Sequence, residues 1–441
     1  MLRAKMILVP FPRLTSMKRL VCAVFGLVLV PALASAAEVS GVVTGYAELP
    51  ATAKFTAPAS VPAFKISGKF TGPAGSAPVT AFGSLPGKSQ GRLTGLSLPM
   101  LGQPRQGYSD IQAMPGNIAW ALQDNGYGAK SNSADAMLVL TQFKMDWVNR
   151  RASALKDILL SDPKKRMPYP IANSENNPKR YLSGTDLDPE SFRFVGSSLW
   201  IGDEFGPYLV KTDRWGRIEK VIDTLIDGER VCAPDNPSFQ TCRHQIKSSK
   251  GFENMAVLPG DRTLIAMLEG PMEGATVLKA LEFDLRTEKW TGKSLDYPLD
   301  VATNSVGALT ALDANHLLVI ERDSREGTAE FACVSDDTSR CFKEPAQFKR
   351  LYKVSIDRTN GKLVKQDYID LLKLKDPRKL SGSKQRNGIY AMPFWTIEAV
   401  TRAGKKEVLI VNDNNFPSSA SREPNTQDAN EFVRVDILSL L

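Results

Sequence analysis

The stretch FRFVGSSLWIGDE (192–204) reads as a strand, a polar bend and a second strand that ends on two carboxylates. It recurs. NMAVLPGDRTLIAMLE (254–269), ALTALDANHLLVIE (308–321) and AVTRAGKKEVLIVND (399–413) follow the same order, each with Gly, Asp or Asn at the bend, the residues that hairpin turns demand. Working outward, five apolar runs close on acidic or amide side chains: AWALQDN (119–125), LWIGDE (199–204), LIAMLE (264–269), LLVIERD (317–323) and LIVNDNN (409–415). One structural unit, used repeatedly, sets polar groups at one end of successive strands. A hairpin brings the chain back to its starting level, so the residue opening each unit lies beside the one closing it. Glu190 then falls near Glu204, Glu253 near Glu269 and Glu398 near Asp413, with Gly307 in that place opposite Glu321.

The first 36 residues differ in kind. Lys18 and Arg19 precede an apolar run from Leu20 to Leu33, and Ala34-Ser35-Ala36 supplies the small residues of a secretory cleavage site. A signal peptide over 1–36 is expected, with Met1 or Met17 as its start; Cys22 lacks the context of a lipid-bearing cysteine, and no stable membrane anchor is expected after cleavage. That segment holds five basic residues and no acid, so 51 basic against 48 acidic residues remain and the apparent +8 falls to +3. A nucleic-acid partner loses its electrostatic basis, and Lys164-Lys165-Arg166 reads as a solvated turn. The protein is expected to be exported, periplasmic or secreted, and monomeric.

Four further cysteines form two close pairs, Cys232 with Cys242 and Cys333 with Cys341. In an exported chain these read as two local disulfides, although four cysteines permit three connectivities. Zinc fits poorly, because no CxxC spacing occurs and only His244 and His316 are available.

Residues 37–93 are rich in Ala, Pro, Gly, Ser and Thr and read as an N-terminal arm with edge strands. From 94 to 441 strand follows strand, with a short helix expected over Ala152 to Leu160 and a polar loop continuing to Tyr181. The fold class is all-β: a single β-propeller of about six blades, closed by an N-terminal strand pairing with the last strand over 431–437, which leaves no free edge.

Six segments, taken in order, resemble a known family: GTDLDPESF (184–192), LWIGDEFGPYL (199–209), GFENMAVLPGDRTL (251–264), LLVIERD (317–323), FWTIEAV (394–400) and VLIVNDNNFP (408–417). Together they are similar to the phytase-like, "esterase-like activity of phytase" domain of exported bacterial proteins, over about Thr94 to Asp436. The resemblance implies a β-propeller whose recurrent acids support phosphoesterase or phosphodiesterase chemistry.

The residues point the same way on chemical grounds. Carboxylates crowded at a channel mouth repel unless a cation neutralises them or some hold protons, and Asp, Glu and Asn oxygens suit Ca²⁺ before Mg²⁺. Glu253, Glu398, Asp413 and Asn414 are the expected metal ligands, with Asn254 and Asn415 beside them. Asp203, Glu204, Glu269, Glu321 and Arg322 are the catalytic candidates, Asp203 or Glu204 as general base and Arg322 as a fork for phosphate. Asp124 and Arg322 are the substrate-binding candidates. The plainer readings stand beside these: strand-end Asp and Asn cap turns, Arg322 pairs with its neighbours, and Asp186 to Pro189 and His316 are structural. Gly87-Lys88-Ser89-Gln90-Gly91 has the GxSxG form without the strand and helix a nucleophile elbow needs, and neither histidine sits in a histidine-phosphatase context. Three functions remain open. One is a metal-assisted hydrolase of phosphate esters or related esters acting on a small molecule; another is an ester or lactone hydrolase using one calcium. The third is a non-catalytic, calcium-stabilised propeller that binds a ligand or partner protein.

Overall fold

In the computed structural model, which describes residues 36–71 and 85–441, the repeat becomes a ring of four-stranded antiparallel blades. Blade 1 runs through Tyr108–Met114, Ile118–Gln123, Val139–Asp146 and Arg151–Leu159. Blade 2 uses Pro189–Val195, Ser198–Asp203, Tyr208–Asp213 and Ile218–Asp223, and blade 3 uses Asn254–Val257, Thr263–Met267, Leu278–Asp284 and Lys289–Tyr297. Blade 4 is Ser305–Ala311, His316–Arg322, Lys349–Asp357 and Lys362–Asp370. Blade 5 takes Ala399–Arg402, Glu407–Val411 and Asn430–Asp436 from one end of the chain and Val42–Leu49 from the other. The closing register runs from Val42 opposite Asp436 to Leu49 opposite Asn430.

The described residues thus form five blades, where about six were expected. Val42–Leu49 completes the fifth blade rather than beginning another. The short strands Leu85–Ser89 and Arg92–Leu98 make a separate hairpin. Each of the five apolar runs is the second strand of its blade, so the repeat count was the blade count.

Packing shows the closure directly. Five apolar cores lie between successive blades: Leu122 with Ile201, Trp200 with Met255, Ile265 with Val319, Ile320 with Ile410, and Val411 with Phe143. Each blade is a sheet with two buried faces, which is why its central strands are apolar runs rather than alternating ones. Inside the ring, Arg193 of blade 2 pairs with Asp110 of blade 1 and donates to the Leu309 carbonyl of blade 4 at 2.9 Å. That contact ties three inner strands together.

Residues 152–160, expected as a helix, are instead the outer strand Arg151–Leu159, paired with Val139–Asp146. Its Ala, Leu and Lys favour helix locally, but a free blade edge supplies a full ladder of partners, and tertiary pairing overrides the weak preference. Both local disulfides are formed, Cys232–Cys242 and Cys333–Cys341. The signal peptide expected over 1–36 lies, but for its last residue, outside the described residues. Among the described residues no helix is long and apolar enough to cross a membrane.

Candidate functional site

Each blade starts its inner strand and ends its second strand at the same rim, and there the polar ends converge on a cavity of about 330 Å³. All five blades contribute. Blade 1 supplies Asp124; blade 2 supplies Asp188, Glu190 and Glu204; blade 3 supplies Glu253 and Glu269; blade 4 supplies Ser305 and Arg322; blade 5 supplies Glu398 and Asp413. Lys250, Trp395 and Thr396 also line it.

Blade 4 is the exception that places the arginine. Gly307 stands where blades 2, 3 and 5 carry an inner glutamate, and a side chain there would collide with the Ile397 carbonyl of blade 5. The space is taken by Arg322, whose Nε lies 3.4 Å from the position a Gly307 Cβ would occupy. Arg322 donates from Nη2 to Glu398 at 2.9 Å and lies 3.6 Å from Glu269. Lys250 pairs with Glu269. Eight carboxylates therefore line the cavity against two cations, both already engaged.

Burial makes this crowding expensive for the charged forms. Glu398 is pushed up to about 8 by burial and by Asp413, although Arg322 pulls it down. Burial raises Asp188 and Asp413 to about 6. Glu190, Glu204, Glu253 and Asp124 are raised well above the carboxylate range, by burial first and by their acidic neighbours second. Such a set holds protons or a cation.

Three triplets bring one carboxylate oxygen each to within 4.8 Å of one another: Asp188, Glu190 and Glu204; Glu190, Glu253 and Glu398; and Glu204, Glu253 and Glu269. Oε1 of Glu204 and Oε1 of Glu253 are buried without any hydrogen-bond partner, as is Nε of Arg322. Buried polar atoms are normally paired, so these orphans mark where a bound group belongs. The donors are all oxygen, and they fit Ca²⁺ or Mg²⁺.

Of the expected site residues, Asp124, Glu204, Glu253, Glu269, Arg322, Glu398 and Asp413 meet here, and Asn415 lines the same cavity. Three do not. Asp203 spends both carboxylate oxygens on the backbone amides of Asp188 and Gly206, at 2.8 Å each, so it holds the turn below Glu204 and is not placed as a base. Glu321 points away from the cavity because adjacent strand residues face opposite sides. It accepts from Tyr297 at 3.0 Å, from Asn304 at 2.8 Å and from Lys365 at 2.5 Å. Asn414, fully buried, accepts from the Gly107 amide and donates to the Asp428 carbonyl, both at 3.0 Å, which makes it a brace rather than a ligand. Asn254 likewise bridges inner strands through the Val306 carbonyl.

Asp186 is structural, as expected, and accepts from Ser183 and Ala172. Asp188, read with it as structural, lines the cavity. Sequence reasoning also left Glu190 without a role, though its position opposite Glu204 was plain. Nothing local marked Lys250 or Thr396; the latter donates to the Asp413 carboxylate at 3.3 Å.

The family model described as "Phytase-like: Esterase-like activity of phytase" matches residues 103–416. No curated protein matches the chain. Among solved structures, a GH43 β-1,3-galactosidase with galactodeoxynojirimycin is similar at 8% identity and TM-score 0.41, covering 76% of this chain and 91% of that one. A glutaminyl cyclase of Myxococcus xanthus matches at 9% identity and TM-score 0.33, covering 81% and 96%. The PQQ-bound aldose sugar dehydrogenase of Streptomyces coelicolor matches at 10% identity and TM-score 0.32, covering 75% and 80%.

Proposed function

The chain belongs to the phytase-like family, and from that premise we propose that it is a hydrolase of phosphate esters or related esters, assisted by a divalent cation, Ca²⁺ before Mg²⁺, at the acidic mouth. The observation that carries this reading is the pair of unpartnered carboxylate oxygens on Glu204 and Glu253 among the three oxygen triplets. Glu190, Glu253 and Glu398 are the residues that would hold the ion. When bound, it supplies a Lewis acid for a phosphoryl or carbonyl oxygen and eases ionisation of water.

The chain's own residues do the rest. Glu204, with Oε1 free and its proton affinity raised, takes a proton from the attacking water and can return it to the leaving oxygen. Arg322 keeps Nη2 on Glu398 and offers Nε to a substrate oxygen, so its orientation is set before substrate arrives. Lys250 offsets Glu269 on the opposite wall. The two disulfides support export, and the substrate is a small molecule rather than a nucleic acid.

The test is hydrolysis of an aryl phosphate and an aryl ester by the purified mature protein. Activity should vanish with chelator and return with Ca²⁺ or Mg²⁺. Chelator-insensitive turnover eliminates the cation-assisted mechanism. No turnover across a broad ester and phosphodiester panel, together with calcium-dependent melting, favours the binding propeller instead.

A further inference from the structure

A second cavity, of about 260 Å³, adjoins the acidic one and shares Asp124, Gly128, Trp395 and Asn415 with it. Its character is different. The remaining wall is mostly apolar, from Leu85, Pro86, Leu98, Phe416 and Pro417. Leu85 and Pro86 belong to the hairpin of Leu85–Ser89 and Arg92–Leu98, outside the blades. The GxSxG-like motif lies in that hairpin, and the proposed hydrolysis leaves it without a role.

The hairpin is clamped in place. Thr94 Oγ1 donates to the Pro417 carbonyl at 2.7 Å, and the Gln427 amide donates to the Thr94 carbonyl at 2.8 Å. Arg92 forms a buried ion pair with Glu326, which also accepts from Ser89 and, at 3.1 Å, from Ser421. Gly87 must be glycine for this seat, because any Cβ would strike the Pro417 carbonyl oxygen and Thr94 Oγ1. Trp395, common to both cavities, is held through its own backbone: its amide donates to Ser421 and its carbonyl accepts from the buried Lys349, both at 3.1 Å. The wall is built rather than incidental.

We propose that this cavity is the subsite for an apolar, ring-sized group attached to the scissile ester, and that the hairpin thereby selects the substrate class. The inference rests on the proposed hydrolase reading. The acidic cavity takes the phosphoryl or carboxyl end, and the Leu85 to Leu98 wall takes the aryl or alicyclic part. An apolar cavity of about 150 Å³ accepts benzene, so this space has room for one or two fused rings. A substrate with phosphate on every carbon gains nothing from Leu85, Leu98 and Phe416 and meets six uncompensated carboxylates beside them. Apolar monoesters are the preferred class.

The experiment uses the full mature protein with Ca²⁺ and a series of phosphate monoesters and acetate esters of methyl, butyl, phenyl and 1-naphthyl alcohols, with 1-naphthol binding measured by calorimetry. KM should fall at least tenfold from methyl to naphthyl. Leu85→Lys, at a site 41% exposed and so tolerant of change, should raise KM for the naphthyl ester several-fold and weaken naphthol binding, leaving the methyl ester's kcat and KM unchanged. A KM that is flat across the series, or naphthol binding unaffected by Leu85→Lys, overturns the subsite while hydrolysis itself stands. If no ester turns over, the hydrolase reading fails on its own, and naphthol binding with its loss in Leu85→Lys still decides whether the apolar subsite exists.

Discussion

Glu204 and Glu253 are each nearly fully buried and each keeps one oxygen without a partner. Replacing either by glutamine retains shape and removes charge. For Glu204→Gln, kcat/KM should fall about 10²–10⁴-fold, the usual weight of a positioned acid or base. Calcium-free melting should be unchanged or higher in both variants, since an amide relieves repulsion from Glu269 and Glu398. The stabilisation that Ca²⁺ brings should shrink, and differential scanning with and without the ion reads both effects. Glu321→Gln should behave in the opposite way. It leaves Lys365 with Asp300 as its remaining carboxylate and weakens the buried acceptor of Tyr297 and Asn304, so about 1–3 kcal/mol of stability is lost, while kcat per folded molecule holds. That contrast separates two glutamates the repeat made look equivalent.

At the scale of an element, the turns under the mouth are as demanding as the acids. Gly251 lies against the backbone of Glu204, so that a Cβ would collide with its Cα and carbonyl oxygen. Its own carbonyl accepts from the Glu269 amide at 2.9 Å and from the Glu253 amide at 3.1 Å. One glycine thus sets three glutamates. Gly251→Ala should cost about 1–3 kcal/mol through overpacking and lower kcat by an order of magnitude or more, because small misplacements of reacting groups are costly. Kinetics on the fraction shown folded by near-UV circular dichroism check this. The two disulfides, closing short loops, should each contribute roughly 2–3 kcal/mol. Reduction should lower Tm and leave kcat at 25 °C unchanged.

At the scale of the whole molecule, ring closure and the charge of the mouth both govern stability. Val42–Leu49 covers the edge strand Asn430–Asp436 and packs Val43, Tyr46 and Ala47 into cores on both sides of blade 5. Removing residues 36–49 should abolish the cooperative melt and promote aggregation through the exposed edge, visible by light scattering. The acids predict a pH dependence whose sign follows from their raised values. Glu398, at about 8, and Asp188 and Asp413, at about 6, bind protons in the folded state that the unfolded chain has already lost above about 4. The calcium-free stability these groups contribute is therefore greatest below about pH 4, and falls as pH rises from there toward 8, by about 1.4 kcal/mol per pH unit for each proton held. Added Ca²⁺ should raise Tm more at pH 8 than at pH 5.

Period and punctuation in the sequence determined the hairpins, the rim on which their acids lie, the local cysteine pairs and the strand that closes the ring. These are short-range facts, carried by turn residues and by apolar runs long enough to be central strands. Which carboxylate faces the cavity was a tertiary decision: a one-residue step along a strand turns a side chain to the other face, so Arg322 enters the mouth and Glu321 leaves it. The same holds for Asp203 and Asn414, whose oxygens are taken by backbone amides from Asp188, Gly206 and Gly107 that only folding brings near. Residues 152–160 became a strand because a blade edge was waiting for them, and Lys250 joined the site because the turn through Gly251 seats it against Glu269. Local sequence sets what a segment can be; the partners supplied by distant blades decide what each side chain meets.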